Sequence, residues 1–283
     1  MWGRACGFVL PNEAQMLKMQ KNRVAMMTFA NLSGGRDSSA MVVRWLESGQ
    51  KLDFVLFCDT GFEFAEMYAY VDKLDNFLYK NYGMNITRLD SRGEIEKWAF
   101  EQRITRGERA GQFRGLPRRL GNDYCTRETK IYPSKRFVLS KSQQKFRNCV
   151  LIGYTHAEVQ RGRVSNLDYA TARYPLHEWH WNERECEEFL KARGIANPLY
   201  RHFTRTGCYL CPKQSMCSLY KLFRHYPQYF QKMLEMEARA SALDCVNTRF
   251  FGKTLAEIAE DFKYRQDALF SDDYAESETC FCK

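Results

Sequence analysis

The feature that most restricts the fold of this chain is a repeated pattern of apolar runs, each ending in a glycine turn before a helical segment. Residues 24–30 lead into Ser33-Gly34-Gly35, and residues 54–58 lead into Asp59-Thr60-Gly61. After both turns, apolar residues recur at helical spacing. Strand–helix alternation predicts a parallel sheet with right-handed crossovers, in which ligands bind beyond the carboxyl ends of the strands.

Further segments extend this α/β pattern along the chain. Residues 85–89 and 149–153 are strand candidates, and the Gly/Arg-rich residues 103–124 are expected to form an irregular loop. Asn182 with Glu185, and Thr254 with Glu257, form capping boxes ahead of predicted helices. We expect a nucleotide-binding α/β domain over residues 1–200 and a cysteine-rich, mainly helical region over residues 201–283.

Composition restricts the cellular setting. The 283 residues are 45% hydrophobic, yet no stretch approaches the roughly 18 to 20 apolar residues of a membrane span. The apolar run at residues 7–10 is too short for a secretion signal, so we expect a cytoplasmic protein. Eleven cysteines, an odd number, argue against a secreted disulfide framework and favour free thiols or a metal site.

Positive charge is concentrated in one part of the chain. The window from Arg103 to Arg147 holds 13 Lys and Arg residues against three acids, which accounts for the whole formal net charge of +9. Such a segment favours phosphate groups, either of a nucleotide or of a nucleic acid such as DNA or tRNA. An ordinary solvated basic surface is the alternative.

One hexapeptide has the composition of a phosphate-binding loop, and it consists of Ser33, Gly34, Gly35, Arg36, Asp37 and Ser38. Adjacent glycines allow positive φ and a close approach to a ligand. The following helix directs free N–H groups and its positive dipole end at the turn. Both serines add hydroxyl donors, and Asp37 is a hard oxygen ligand suited to Mg²⁺. A plain Gly-Gly turn capped by Asp or Ser is an equally good interpretation of these six residues alone.

The hexapeptide resembles the SGGxDS pyrophosphate loop (PP-loop) of the adenine-nucleotide alpha-hydrolase superfamily. This resemblance implies a Rossmann-like (HUP-type) fold, an adenine nucleotide as ligand, and ATP with Mg²⁺ as cofactors. It also implies adenylation of a substrate with release of pyrophosphate.

Three further segments resemble phosphoadenosine phosphosulfate (PAPS) reductase-like members of that superfamily. They are residues 57–64, residues 153–163, and Tyr174-Pro175-Leu176 followed by Trp179. The resemblance implies that the catalytic residues are Asp37, Arg161 and Arg163. It also implies further nucleotide contacts by Asp59, Thr60, Gly61, Gly153 and Glu158. Asp59 as a helix cap and solvent-facing arginines are the alternatives.

Four cysteines are candidate metal ligands. Cys208 and Cys211 form a C-x-x-C motif, Cys217 lies six residues beyond, and Cys125 is the best fourth ligand. Thiolates at this spacing suit an iron–sulfur cluster or zinc, and the motif also suits a redox pair. Cys125 precedes Lys130 and Pro133 as the first cluster cysteines do in PAPS reductase-like proteins, and that resemblance favours a four-iron four-sulfur (4Fe-4S) cluster.

The chain also departs from the sulfonucleotide reductases. It has Cys125 where they carry a Cys-Cys pair, and its tail holds Cys280 and Cys282 without the Gly and His of their catalytic motif. It keeps an intact phosphate loop, which PAPS reductases tend to lose because their substrate has no β-phosphate.

These observations leave three functions open. An ATP pyrophosphatase that activates nucleic acid for sulfur insertion, with a sulfur donor protein as partner, explains most of them. A thiol-dependent PAPS or adenosine phosphosulfate reductase, with Cys280 or Cys282 as nucleophile, is the second. A nucleotide-sensing module that binds nucleic acid is the third.

Overall fold

The computed structural model describes residues 27–118, 124–142 and 148–264. At its centre is a five-stranded parallel sheet with the strand order β3-β2-β1-β4-β5. The strands are β1 Met27–Leu32, β2 Phe54–Asp59, β3 Ile86–Asp90, β4 Asn148–Leu151 and β5 Thr171–Arg173. This is the Rossmann-like α/β fold that the sequence predicts.

Helices connect and cover the strands. In chain order they are α1 Arg36–Glu47, α2 Ala65–Tyr82, α3 Glu94–Glu96, α4 Tyr124–Thr126, α5 Tyr132–Lys141, α6 His156–Gln160, α7 Pro175–Glu178, α8 Glu183–Ala192, α9 Met216–His225, α10 Pro227–Ala242 and α11 Leu255–Tyr264. Two π-helical segments, Lys97–Glu101 and Arg127–Ile131, continue α3 and α4, and a 3-10 turn covers Pro198–Arg201.

The sheet is buried on both faces. Along β2, Val55 and Phe57 face the larger core, whereas Leu56 between them faces a smaller core that includes Val138 of α5. Successive side chains of a strand point to opposite faces. The continuous apolar run at residues 54–58 is therefore the sequence signature of a strand covered on both sides.

Strand order places a crevice between β1 and β4. From β1 the chain moves outward to β2 and β3, and then returns to pair β4 with the other edge of β1. The loops after β1 and β4 therefore begin next to each other, at the point where the strand order reverses. A ligand crevice opens at such a switch point, outside the carboxyl ends of the strands.

The larger core also includes the C-terminal helices. Phe230, Met233 and Phe262 belong to the same buried cluster as Met41 of α1 and Met67 of α2. The predicted boundary at residue 200 stays a prediction. Within the ranges that the structure describes, no helix combines the length and the apolarity that a membrane crossing requires.

Several predicted elements are present with shifted ends. Helix α1 begins at Arg36, within the phosphate loop, and β1 ends at Leu32, two residues beyond the predicted run 24–30. Both capping boxes form: Asn182 and Glu185 at α8, and Thr254 and Glu257 before α11. The predictions at residues 7–10, 24–26 and 265–283, and parts of the basic window (119–123 and 143–147), lie outside the described residues.

The close approach at Gly153 generates a stability prediction. A Cβ at Gly153 would lie 2.8 Å from Ser38 Cα and 2.9 Å from Ser38 N, both backbone atoms that cannot move independently. We expect Gly153→Ala to lower the free energy of unfolding by about 1–3 kcal/mol, as overpacking does. Gly252→Ala is the matched control because a Cβ there meets no atom within 4 Å. Urea denaturation of both variants tests this, and equal midpoints would contradict it.

Candidate functional site

A cleft of about 610 Å³ opens at the carboxyl ends of β1, β2 and β4. Most of its lining comes from four parts of the chain: the phosphate loop, the turn after β4, the start of α4 with the segment that follows, and residues 203–215. Single residues from other segments, among them Thr60, Pro117 and Tyr200, complete it. The candidate residues that line it are Ser33, Gly35, Arg36, Asp37, Ser38, Thr60, Cys125, Gly153, Glu158, Arg163, Cys208 and Cys211. Tertiary structure thus brings the phosphate loop and three of the four candidate cysteines to one cavity.

The phosphate loop is held open by its own serines. Ser38 Oγ accepts a hydrogen bond from Ser33 N at 3.2 Å and lies 3.0 Å from Ser33 Oγ. Gly34 adopts φ +75°, a conformation that favours glycine. Because α1 starts directly at Arg36, the free amides of its first turn face the cleft, as in other anion sites at helix N-termini.

Residues of the 3-10 turn brace this loop from outside. Asn197 Nδ2 donates to Gly34 O at 2.8 Å, and the Arg36 amide donates to the Tyr200 hydroxyl at 2.9 Å. The Tyr200 hydroxyl also accepts a hydrogen bond from Thr206 Oγ1 at 3.3 Å. One amide of the helix terminus is therefore already satisfied by a neutral oxygen in the absence of a phosphate.

Asp37 carries the carboxyl group of the loop, and its surroundings shift the pKa of that group. Burial raises its pKa to about 6, against the opposing effect of Arg36, and Glu183 and Glu158 raise it further. Its Oδ1 is buried without a hydrogen-bond partner, although Arg36 Nε lies 3.5 Å away. A cation would relieve both the desolvation and the repulsion from the neighbouring acids, so this carboxylate fits a Mg²⁺ ligand.

The turn after β4 forms the wall directly beside the phosphate loop. Thr155 and Glu158 form a capping box at the start of α6, with the Thr155 amide donating to Glu158 Oε2 at 3.0 Å. Arg163 pairs with Glu158, and its guanidinium lies 4.1 Å from the centre of the Tyr154 ring. Arg163 is therefore held at the cleft in a fixed orientation, whereas Arg161 is exposed and does not line the cleft.

Several predicted contacts lie away from the cavity lining. Asp59 Oδ1 accepts hydrogen bonds from the Gly61 amide at 2.9 Å and from the Tyr68 hydroxyl at 2.6 Å, which closes its own turn. Gly61 and Cys217 also do not line the cleft, and Gly34 is buried beneath the loop. Asp59 is not the cap of α2, whose N-cap residue is Phe64, so the helix-cap alternative is wrong and Asp59 closes its own turn instead. A nucleotide contact of Asp59 stays a prediction.

Cys125, Cys208 and Cys211, named here the cysteine wall, line the same cleft as the phosphate loop. Cys208 and Cys211 lie on a turn in which the Cys211 amide donates to Cys208 O at 3.1 Å, and Cys125 lies in α4. The Tyr209 amide donates to Phe62 O at 2.9 Å, which ties this turn to the loop after β2. Burial raises the pKa of Cys208 well above its ordinary value, and Glu63 adds to the effect.

The donor chemistry of this wall fits a soft metal centre. Three thiols share one cavity, and thiolates at these positions need a nearby positive charge to ionise. Among residues 27–118, 124–142 and 148–264, however, no group of three or more His, Cys, Asp or Glu side chains is arranged as a metal site. The ligand set Cys125, Cys208, Cys211 and Cys217 therefore stays a prediction.

Lys130 is a functional candidate that sequence reasoning did not single out. Solvent reaches its side chain through the cleft, although protein atoms surround it. Burial lowers the pKa of the ammonium, but the Glu63 carboxylate and, after it, nearby cysteine side chains raise it overall. Burial also raises the pKa of Glu63. The cleft thus contains a fixed positive charge beside its cysteines.

Tyr200 and Arg205 were also missed. Both line the cleft, and neither belongs to a motif with a recognisable spacing. Arg205 stands three residues before Cys208, so proximity to the C-x-x-C motif was the available signal. Tyr200 is 164 residues from the backbone amide it contacts, a distance that no local pattern reveals.

Comparison with known proteins identifies relatives of low identity. The uncharacterised protein MJ0066 of Methanocaldococcus jannaschii is 27% identical over 233 residues, covering 78% of this chain and 43% of that protein. The uncharacterised protein MJ0973 of the same organism is 24% identical over 220 residues, covering 74% and 47%. The chain therefore spans less than half the length of these two relatives.

Two solved structures are similar at low TM-score. A PAPS reductase from Candida auris, in a phosphate complex, has a TM-score of 0.43 and 14% identity, covering 72% of this chain and 98% of that one. The U34-tRNA thiolase NcsA from Methanococcus maripaludis, with its [4Fe-4S] cluster, has a TM-score of 0.41 and 12% identity, covering 96% and 84%.

The family assignment rests on a sequence match that covers most of the structure. The profile of the phosphoadenosine phosphosulfate reductase domain matches residues 27–214, which contain all five strands and every wall of the cleft except its last residues. This chain belongs to the phosphoadenosine phosphosulfate reductase domain family.

Proposed function

We propose that this protein is an AMP-forming ATP pyrophosphatase that adenylates an acceptor, with nucleic acid as the acceptor and sulfur insertion as the purpose. The observation that carries the proposal is the intact phosphate loop, which opens on the same cavity as three cysteines. Two serines and a helix N-terminus suit a β,γ-pyrophosphate, which ATP has and a sulfonucleotide lacks.

In this proposal the loop holds the pyrophosphate portion of ATP. Ser33, Ser38 and the amides at the start of α1 donate hydrogen bonds to the β- and γ-phosphate oxygens. The Arg36 amide exchanges the Tyr200 hydroxyl for a phosphate oxygen. Asp37 would hold a magnesium ion, which when bound supplies positive charge to the phosphates.

The chemical step is displacement at the α-phosphorus. An acceptor oxygen attacks it, the bond to the β-phosphate bridging oxygen breaks, and pyrophosphate leaves with the electron pair. Arg163, which lines the cleft, offsets the negative charge that develops at the α-phosphate. A sulfur nucleophile from a donor protein then displaces AMP from the adenylated acceptor.

Cys125, Cys208, Cys211 and Cys217 would hold a [4Fe-4S] cluster, with zinc as the alternative. A cluster supplies a soft, thiophilic centre for sulfur chemistry when bound. The contribution of the chain itself is the cysteine wall, with the Lys130 ammonium beside it.

The family description favours a second candidate function, reduction of PAPS or adenosine phosphosulfate. In that reaction a thiolate of Cys280 or Cys282 attacks the sulfur, and the nucleotide leaves. A second thiol then releases sulfite by forming a disulfide. Both cysteines lie outside the described residues, so product identity is the test that separates the two functions.

The first prediction concerns the reaction product. Purified under anaerobic conditions and given Mg²⁺, labelled ATP, RNA or DNA and inorganic sulfide as the sulfur nucleophile, the protein is expected to release AMP and pyrophosphate. Asp37→Asn should reduce kcat/KM at least about 100-fold, a loss typical of removing one electrostatic stabiliser. Asp168→Asn is the control because Asp168 pairs with Lys135 outside the cleft. Sulfite release from PAPS without AMP formation from ATP would overturn the proposal.

The second prediction concerns pH. Because burial raises the Asp37 pKa from 3.8 to about 6, folding favours the protonated form. The resulting stabilisation is complete below pH 3.8 and is lost as the pH rises through about 6. The free energy of unfolding of ligand-free Asp37→Asn, minus that of the ligand-free wild type, should therefore be larger at pH 8 than at pH 4.

The same titration of Asp37 should change activity in the opposite direction, because activity needs the ionised carboxylate. Magnesium needs the carboxylate, so wild-type kcat/KM for AMP formation is expected to fall as the pH drops below about 6. The residual activity of Asp37→Asn should lack this limb. Chemical denaturation and initial rates across the pH series test both statements, and an unchanged acid limb in the variant would contradict them.

The third prediction concerns the cysteines. Cys208→Ser and Cys211→Ser should lose bound iron and the visible absorption of an iron–sulfur cluster. Cys58→Ser is the matched control, since the Cys58 thiol donates to Lys130 O at 3.6 Å and does not line the cleft. Metal analysis of the three variants tests this. Stoichiometric zinc in the wild-type protein would contradict the cluster and support zinc.

A further inference from the structure

Residues 102–118, named here the arginine arm, form a segment beside the cleft that is exposed over residues 105–112 and buried at residues 115–117. This segment contains five arginines and one acid: Arg103, Arg106, Arg109, Arg114 and Arg118 against Glu108. Arg103, Arg106 and Arg109 are exposed. Its arginines belong to the basic window of the sequence, but the arm has structural properties that the other described residues of that window, 124–142, lack.

The arm is a built hairpin rather than a loose loop. Arg103 and Phe113 form an antiparallel bridge, and backbone hydrogen bonds of 2.8 Å join Ile104 to Gln112 and Gly111 to Ile104. Arg103 Nη1 also donates to Gly111 O at 2.6 Å. A charged element with a fixed shape loses little conformational entropy when it binds a partner.

The base of the arm is anchored to the C-terminal region. The Val246 amide donates to Phe113 O at 2.9 Å, the Asn247 amide donates to Arg114 O at 3.0 Å, and the Leu116 amide donates to Asn247 O at 2.9 Å. A Cβ at Gly115 would lie 2.0 Å from Asn247 O, so the two segments are in direct backbone contact. The arm therefore keeps its position relative to the cleft.

The guanidinium groups of the arm are available to a partner. In the part of the chain that the structure describes, no salt bridge involves Arg103, Arg106, Arg109 or Arg114. Two of them stack on rings instead, with Arg103 4.3 Å from the Phe113 centroid and Arg114 4.7 Å from the Trp98 centroid. Each of these two also donates from Nη1 to a backbone oxygen, Arg103 to Gly111 O at 2.6 Å and Arg114 to Gln102 O at 3.3 Å. Stacking therefore orients them, and Arg106 and Arg109 are the exposed arginines of the arm best placed to bind phosphate oxygens.

The rest of the basic window differs. Arg127 pairs with Glu128 at 2.7 Å, Lys135 pairs with Asp168, and Lys130 lies inside the cleft. Arg136 and Lys141 are exposed on α5, but α5 packs on the face of the sheet covered by the smaller core and contributes nothing to the cleft lining. The arm, in contrast, leads into the cleft at Pro117, on the side of Cys125.

We propose that the arginine arm binds the phosphate backbone of a nucleic-acid strand and directs an unpaired nucleotide of that strand into the cleft. This inference rests on the proposed function, which places the acceptor in the same cavity. A base that undergoes chemistry must leave its stack to reach an enzyme pocket, so the strand is single-stranded or looped at the target. Unpaired guanidinium groups on a rigid arm suit backbone contacts without sequence readout.

The test is a binding titration over a series of salt concentrations. Fluorescence anisotropy is measured with labelled single-stranded RNA, single-stranded DNA and the corresponding duplexes. Arg106→Ala/Arg109→Ala should weaken single-strand binding about tenfold or more and make the slope of log K against log salt shallower by about 1.4, the value for two lost phosphate contacts. The tighter of the two single strands identifies the sugar of the acceptor.

Arg136→Ala/Lys141→Ala is the control because it removes the same charge from the same basic window, away from the cleft. It should keep the affinity and the salt slope of the wild type. Equal losses of affinity in both double variants would overturn the proposal and indicate that the positive charge of the whole basic window attracts the strand. Absence of binding to any strand, or binding of duplexes as tight as single strands, would also overturn it.

Binding of ATP keeps this test separate from the proposed function. Arg106→Ala/Arg109→Ala should bind ATP with wild-type affinity when no strand is added, because neither residue lines the cleft. A wild-type protein that binds single strands through the arm but forms no AMP would support the proposed role of the arm and contradict the proposed ATP pyrophosphatase function.

Discussion

The site depends on the pairing of two strands that are distant in sequence, β1 and β4. Phe29 pairs with Val150 and Ala30 with Leu151, so the phosphate loop and the turn at Gly153 leave the sheet side by side. Since Gly153 has no Cβ, its backbone approaches the start of α1 directly. One wall of the cleft thereby supports the other, and the loop acquires its shape before any ligand arrives.

A second constraint connects the phosphate loop to the cysteines. The segment from Asn197 to Cys211 contacts Gly34 and Arg36 at its beginning and the loop after β2 at Tyr209. Aromatic rings centred on Phe64 bury this segment against the C-terminal helices. The phosphate loop and the cysteine wall are therefore connected by one short, well-packed segment.

Sequence reasoning was most successful where a local cause decides the structure. The apolar run of β2, the capping box of Asn182 and Glu185 and the Ser-Gly-Gly turn each depend on neighbouring residues, and all formed as predicted. The short strand β5 and helix α5 were not foreseen, because three alternating residues and a helix with a weak apolar stripe leave little periodic signal. Their formation depends on the edge of the sheet and the smaller core, which come from elsewhere in the chain.

By itself the sequence determined the α/β class, the phosphate loop, the two cysteine positions of the C-x-x-C motif and the excess of positive charge. Each of these depends on residue type and on spacings of a few residues. Only the tertiary structure decided that Cys125 lines the same cleft as that loop, that Lys130 lies beside the cysteines, and that Asp59 closes its own turn. Strand order and burial bring together side chains that are far apart in the sequence. Burial also raises the pKa of Asp37, a shift that a count of charges in the sequence does not reveal.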